Sequence, residues 1–283
     1  MKRFWGLLAT SIGMVCLLVQ AVYVQTNESN LPRLEDGRPN LNGIWQALNS
    51  ANYDIERHLA RPAMELREGP HGPLPSDALL ALGAVGAVPA GMGVVDGGTI
   101  PYTPEALALK QENRAHWLER DPEIRCYLPG VPRATYMPFP LQIFHNPNAV
   151  FIAYEYAGAT RDISLEALEP AQTDSWMGQS SAHWEGDTLV VDVTGQNDQT
   201  WFDRSGSHHS NQLHVVERYT LLDADHIQYE ATIEDSVVFT RPWTIRMPLY
   251  RRIENDAQLM DFKCVEFVEE LLYGEFRRDP LER

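Results

Sequence analysis

Ser180-Ser181-Ala182-His183-Trp184-Glu185-Gly186-Asp187-Thr188-Leu189-Val190-Val191-Asp192-Val193-Thr194 decides the fold. Two β-prone runs, 180–184 and 188–194, flank the short turn Glu185-Gly186-Asp187, which is the pattern of a tight hairpin. The pattern recurs downstream, where Leu213 to Leu222 and Ile227 to Glu234 flank Asp223-Ala224-Asp225-His226. Ala149 to Tyr156 reads as a strand ahead of these hairpins, and Val237 to Thr240, Trp243 to Tyr250 and Leu259 to Cys264 as strands after them. Short strands at this spacing predict a mainly β fold: an antiparallel lipocalin-like barrel or sandwich with a few helices and a long N-terminal extension.

Helix signals are few. Thr103-Pro104-Glu105 supplies a capping hydroxyl, a proline at the first helical position and an early acid, predicting a helix over 103–118. Val265 to Tyr273 places Val265, Val268, Leu271 and Leu272 on one face ahead of Gly274, and reads as a closing helix. Leu41 to Gln46 reads as the first strand, and the Gly/Pro/Ala-rich residues 67–101 as a long loop lying over the domain.

Lys2 and Arg3 precede an uncharged run from Trp5 to Val24. Residues 1–24 therefore read as a signal peptide or an N-terminal membrane anchor; the run is long for the former and sufficient for the latter. Residues 25–42 read as a tether, 43–274 as a single β-rich domain and 275–283 as a tail. The positive end stays inside, so the domain is expected to be periplasmic or otherwise extracytoplasmic. A retained leader would tether it to the inner membrane through residues 5–24. Past the leader only Cys126 and Cys264 remain. In an oxidising compartment such a pair is either a disulfide or two buried thiols.

With 39 acidic against 23 basic residues the net charge is −16, which excludes the basic footprint that nucleic acid requires. No GxSxG elbow, P-loop, GxGxxG or HExxH motif occurs, so no cofactor is expected. His208, His209 and His214 invite a metal reading. Adjacent histidines point apart, however, and the step to His214 matches no ligand spacing, so no metal is assigned.

The polar and aromatic segment 195–210 links two strands, a position where binding groups concentrate. His209 and Asp203 are candidate acid/base residues there, against an alternative as turn formers that bond their own backbone. On the strand from Leu213, Glu217 alternates with Leu213, Val215 and Tyr219 on the apolar face. A carboxylate so placed is ion-paired or functionally tuned, with Arg161, Arg218 and Arg241 as available partners. Asp192 alternates with Val190 and Thr194, and would bring a second carboxylate inward if that face lines the barrel. Candidate catalytic residues are thus Glu217, His209 and Asp203. Candidate ligand-binding residues are Arg161, Trp201, Arg241, Trp243 and Asn197, with the aromatic side chains as walls for an apolar ligand.

Five blocks occur in order: Arg125-Cys126-Tyr127-Leu128-Pro129-Gly130-Val131-Pro132-Arg133, Trp184 to Asp192, His209-Ser210, Val216-Glu217-Arg218-Tyr219 and Phe239-Thr240-Arg241-Pro242-Trp243. Together with the Gly43-Ile44-Trp45 start they resemble a widespread family of secreted bacterial proteins, over roughly residues 40–275. The resemblance implies export and a single domain, and brings no activity with it. His183 stands where an arginine is expected of that family, so no catalytic role is placed on it.

Two function classes remain. One is an exported β-barrel protein acting on a small, partly apolar molecule by acid/base chemistry, as a lyase, isomerase or hydrolase without organic cofactor. The other is a non-catalytic carrier, or an accessory subunit docked on a membrane-bound partner protein.

Overall fold

A computed structural model describes residues 31–62, 66–67, 74–75, 87–262 and 264. The leader and the helix expected over 265–273 lie outside the described residues. No helix among the described residues is long and apolar enough to cross a membrane.

Strand β1 (Gly43–Ala47) is followed by four two-residue strands, β2 to β5 (Arg61–Pro62, Leu66–Arg67, Leu74–Pro75 and Ala87–Val88). Helix α1 (Pro104–Ala115) comes next. Then come β6 (Leu141–Asn146), β7 (Ala149–Tyr154), β8 (Thr160–Ser164), β9 (Gln179–Glu185), β10 (Thr188–Thr194), β11 (His214–Leu221), β12 (His226–Glu234) and β13 (Trp243–Arg251). β1 and β6 to β13 close a barrel, so the barrel alternative holds over the sandwich.

The two predicted hairpins, β9–β10 and β11–β12, form in register, with Leu189 opposite Trp184 and Tyr219 opposite Tyr229. Closure falls to β1, whose Trp45 pairs with Arg251 of β13 on one side and Leu141 of β6 on the other. Nine strands cannot alternate direction all the way round a ring, so one joint must be parallel. That joint is β8–β9, held by only two register pairs, Ile163–Ser180 and Ser164–Ser181. Every other joint is antiparallel.

Period-2 alternation fills the interior. Val215, Glu217, Tyr219 and Leu221 of β11 are buried, as are Ile227, Tyr229, Ala231 and Ile233 of β12. On β10, Leu189, Val191 and Val193 face inward. Asp192 instead points outward, where its Oδ1 lies 3.1 Å from His214 Nε2, so the second inward carboxylate does not exist.

Several boundaries move for identifiable reasons. The first strand starts at Gly43 rather than Leu41, whose carbonyl accepts the Trp45 indole N–H at 2.9 Å. Residues 31–42, expected as a tether, lie on the barrel: Leu41 is fully buried and Arg33 forms two 2.8 Å bonds with Asp187. Thr103 caps α1 by accepting from Ala106 N–H, but the helix stops at His116, and Trp117–Arg120 forms a separate turn. Val237 to Thr240 is a turn rather than a strand. The Asp235 carboxylate accepts the N–H groups of Val237 and Val238, and its backbone carbonyl accepts that of Phe239. Leu259 to Cys264 shows no strand among its described residues. Two barrel strands, β6 and β8, do not follow from the sequence pattern, nor do the two-residue strands β2 to β5.

Cys126 and Cys264 form a disulfide with their Cα atoms 5.8 Å apart, resolving the alternatives left by the sequence. Beside it, Phe262 packs edge-on to Phe139 at 4.9 Å.

Candidate functional site

Inside the barrel, five strands converge on Glu217. Its Oε1 accepts from the hydroxyls of Tyr229 (2.7 Å) and Tyr219 (3.0 Å), and its Oε2 accepts from Arg161 Nη2 (2.6 Å). Arg161 also donates to Ser180 Oγ (2.9 Å) and Tyr154 Oη (3.2 Å), while its buried Nε has no hydrogen-bond partner. Burial, and then the charge of Glu217, hold the Tyr219 and Tyr229 phenols well above their usual range, so both remain donors. Burial opposes the Arg161 charge, yet Glu217 outweighs it and the pKa is raised. The ion pair anticipated for Glu217 thus forms with Arg161. Where β8 and β9 part, a cleft of about 300 Å³ opens against Arg161, Asp162, Met177 and Ser180.

A larger cleft, about 470 Å³, lies between α1 and the segment after β10. Ala106, Leu109, Val237 and Val238 give it an apolar wall; Trp201, His208 and His209 form its inner side, with Glu105 and Asp198 among its polar groups. The local chain folds around the buried Asp203. That carboxylate accepts the N–H groups of Ile55, Ser205 and Ser207 and both serine hydroxyls, at 2.8–3.2 Å. The tight turn it organises sets Trp201 in a bridge opposite His208.

His209 Nδ1 faces the Ser210 carbonyl at 2.9 Å, and Nε2 faces Thr200 Oγ1 at 2.6 Å. With Nδ1–H donating to the carbonyl, Nε2 accepts from the threonine. Burial lowers the pKa of both His208 and His209, so both rings are neutral near pH 7. His208 stacks on Tyr102 (centroids 6.1 Å apart), and its buried Nδ1 has no hydrogen-bond partner.

The structure does not gather the three candidate catalytic residues. Of Glu217, His209 and Asp203, only His209 lines one of these clefts. Asn197 accepts the Gln199 N–H at 3.1 Å in a local turn, and Arg241 is exposed, donating to the Pro242 carbonyl. Trp243 is core, edge-on to Phe202 and Phe239 at 5.6 and 5.3 Å. Trp201 and His209 therefore share a cleft, Arg161 and Glu217 share the interior, and Arg241 joins neither.

A further cluster escaped the sequence reading. Arg133 is 1 % exposed and donates to Asn52 Oδ1 (2.9 Å), Asp121 Oδ1 (3.4 Å) and Glu123 Oε2 (2.6 Å). Glu123 also takes a two-point contact from Arg204, at 2.8 and 2.9 Å. Gln196, fully buried, grips the backbone of Val131 through both its amide groups. Only Arg133 of this cluster stands in the block Arg125 to Arg133; Asp121 and Glu123 lie just ahead of that block, whereas Asn52 and Arg204 are remote in sequence.

Among the described residues, no group of three or more His, Cys, Asp or Glu side chains is placed to hold a metal ion. The chain matches no family model, no curated protein and no solved structure.

Proposed function

We propose that this protein is exported and that its barrel domain binds a small, partly apolar molecule, as a carrier, in the cleft between α1 and residues 197–210. The observation that carries this reading is the wall of that cleft. Leu109 and Val237 are 41 % and 53 % exposed along it, while Trp201, buried among neutral histidines, forms its inner side. Concave, largely apolar surfaces with a few polar groups are where small molecules bind. The Cys126–Cys264 bond, the leader and the five blocks resembling a secreted bacterial family support the extracytoplasmic placement.

Acid/base catalysis by Glu217, His209 and Asp203 has less support. Each already has its donors and acceptors committed within the protein, and a general base must reach the proton that it takes. The test is a titration with the neutral fluorophore N-phenyl-1-naphthylamine. Saturable enhancement is expected, abolished in Leu109→Asp/Val237→Asp, whose exposed positions leave the barrel intact by circular dichroism. Enhancement that does not saturate, or is unchanged in the double variant, overturns the assignment.

A further inference from the structure

We infer that the ligand of this cleft is an amine: a cationic nitrogen carried on an apolar body. The inference rests on the binding reading above and names its chemical class. Its basis is the charge of the lining. Glu105 and Asp198 both line the cleft, and neither forms an ion pair among the described residues. No lysine or arginine among the described residues joins them there. Lys110, on the same helix, is turned away, its Nζ held by Glu56 at 2.6 Å and lying over the Tyr102 ring.

The remaining titratable groups facing the cleft do not reverse this balance. His208 and His209 are kept neutral by burial. The Asp235 carboxylate behind them is engaged by Ser210, Val237 and Val238. A helix start usually favours anions, because its first N–H groups are unpaired. Here that capacity is used internally: Pro104 has no N–H, the Thr103 hydroxyl takes the Ala106 N–H, and Glu105 already occupies the first turn. Two unpaired carboxylates beside an apolar wall select an ammonium group with a hydrocarbon tail, and repel a fatty carboxylate of the same length.

The experiment displaces N-phenyl-1-naphthylamine from the full-length protein with octylamine, 1-octanol and octanoate at pH 7. Octylamine is expected to displace the probe at about tenfold lower concentration than 1-octanol, with octanoate weakest and the spread narrowing in 0.5 M salt. Glu105→Gln/Asp198→Asn should bring octylamine to parity with 1-octanol. If 1-octanol binds as well as octylamine in the unaltered protein, or octanoate binds best, the amine assignment falls and the apolar cleft stands. If none of the three displaces a saturably bound probe, the amine assignment also falls. If the probe itself does not bind saturably, the binding reading fails first.

Discussion

Glu217 is the residue on which the barrel interior turns, because its charge is matched by one guanidinium and its lone pairs by two phenols. Removing one member of a fully buried pair leaves the other charge uncompensated, at about 3–5 kcal/mol. Glu217→Gln keeps an acceptor for Tyr219 and Tyr229 but strands Arg161. Each of Glu217→Gln and Arg161→Met should lose about that much, measured by urea unfolding. The double variant should fall short of their sum by about 2 kcal/mol. Additive losses would show the pair to be uncoupled.

The Arg133 cluster makes a pH prediction. Its two arginines outweigh burial at Glu123 and lower its pKa from 4.5 to about 2. The unfolded chain then binds a proton at Glu123 before the folded one does, so this group's stabilisation is present above about pH 4.5 and lost toward pH 2. Asp121 has the opposite sign. Burial, resisted by Arg133, raises its pKa from 3.8 to about 6. The folded state holds that proton longer, so its contribution favours folding below about pH 4 and declines as the pH climbs to 6. Asp121→Asn should therefore remove a falling component from stability between pH 4 and 6. Glu123→Gln should remove the loss between pH 4.5 and 2. Thermal denaturation across pH 2–7 measures both, and unaltered slopes would contradict the assignment.

Among the elements, β11 was the most legible, because period-2 alternation around Glu217 is a local property and the carboxylate's side of the strand follows from counting. The joint between β8 and β9 was not legible. Residues 165–178 carry no periodicity, and a parallel register depends on where the ring closes rather than on the residues that pair. Val237 to Thr240 misled because an apolar run resembles a strand, and Asp235 decided the matter by capturing its N–H groups. The same limit applies to the site. Trp201 and His209 stand together in one polar segment, whereas α1, the opposite wall, is distant in sequence and its local pattern specifies a helix but not what it faces. Strand pairing also sets an order of local opening. β8–β9 has two register pairs and β11–β12 has eight. The amides of 160–164 and 179–181 that face this joint, rather than β7 or β10, should exchange with deuterium well before those of β11 and β12. Equal protection would mean that the parallel joint is not the weak one.

For the whole molecule, the Cys126–Cys264 bond spans a sequence separation of 138 residues and encloses every barrel strand except β1. Cross-linking a loop of this size restricts the unfolded chain by roughly 4–5 kcal/mol in the chain-entropy account. Cys126→Ser/Cys264→Ser should lower the denaturation midpoint accordingly, and reduced protein should match it. A midpoint unaffected by reductant would show that the unfolded chain is compact enough to need no tie.

The odd strand number has a further implication, one of parity. Hairpins enter or leave a sheet two strands at a time, so lengthening or trimming this barrel by whole hairpins would leave its count odd. A parallel joint would survive every such change. Only gain or loss of a single strand, or opening of the ring, could remove it. Some parallel joint is thus a topological obligation of this closure, and the chain places it at β8–β9, with Arg161 and Ser180 beside it.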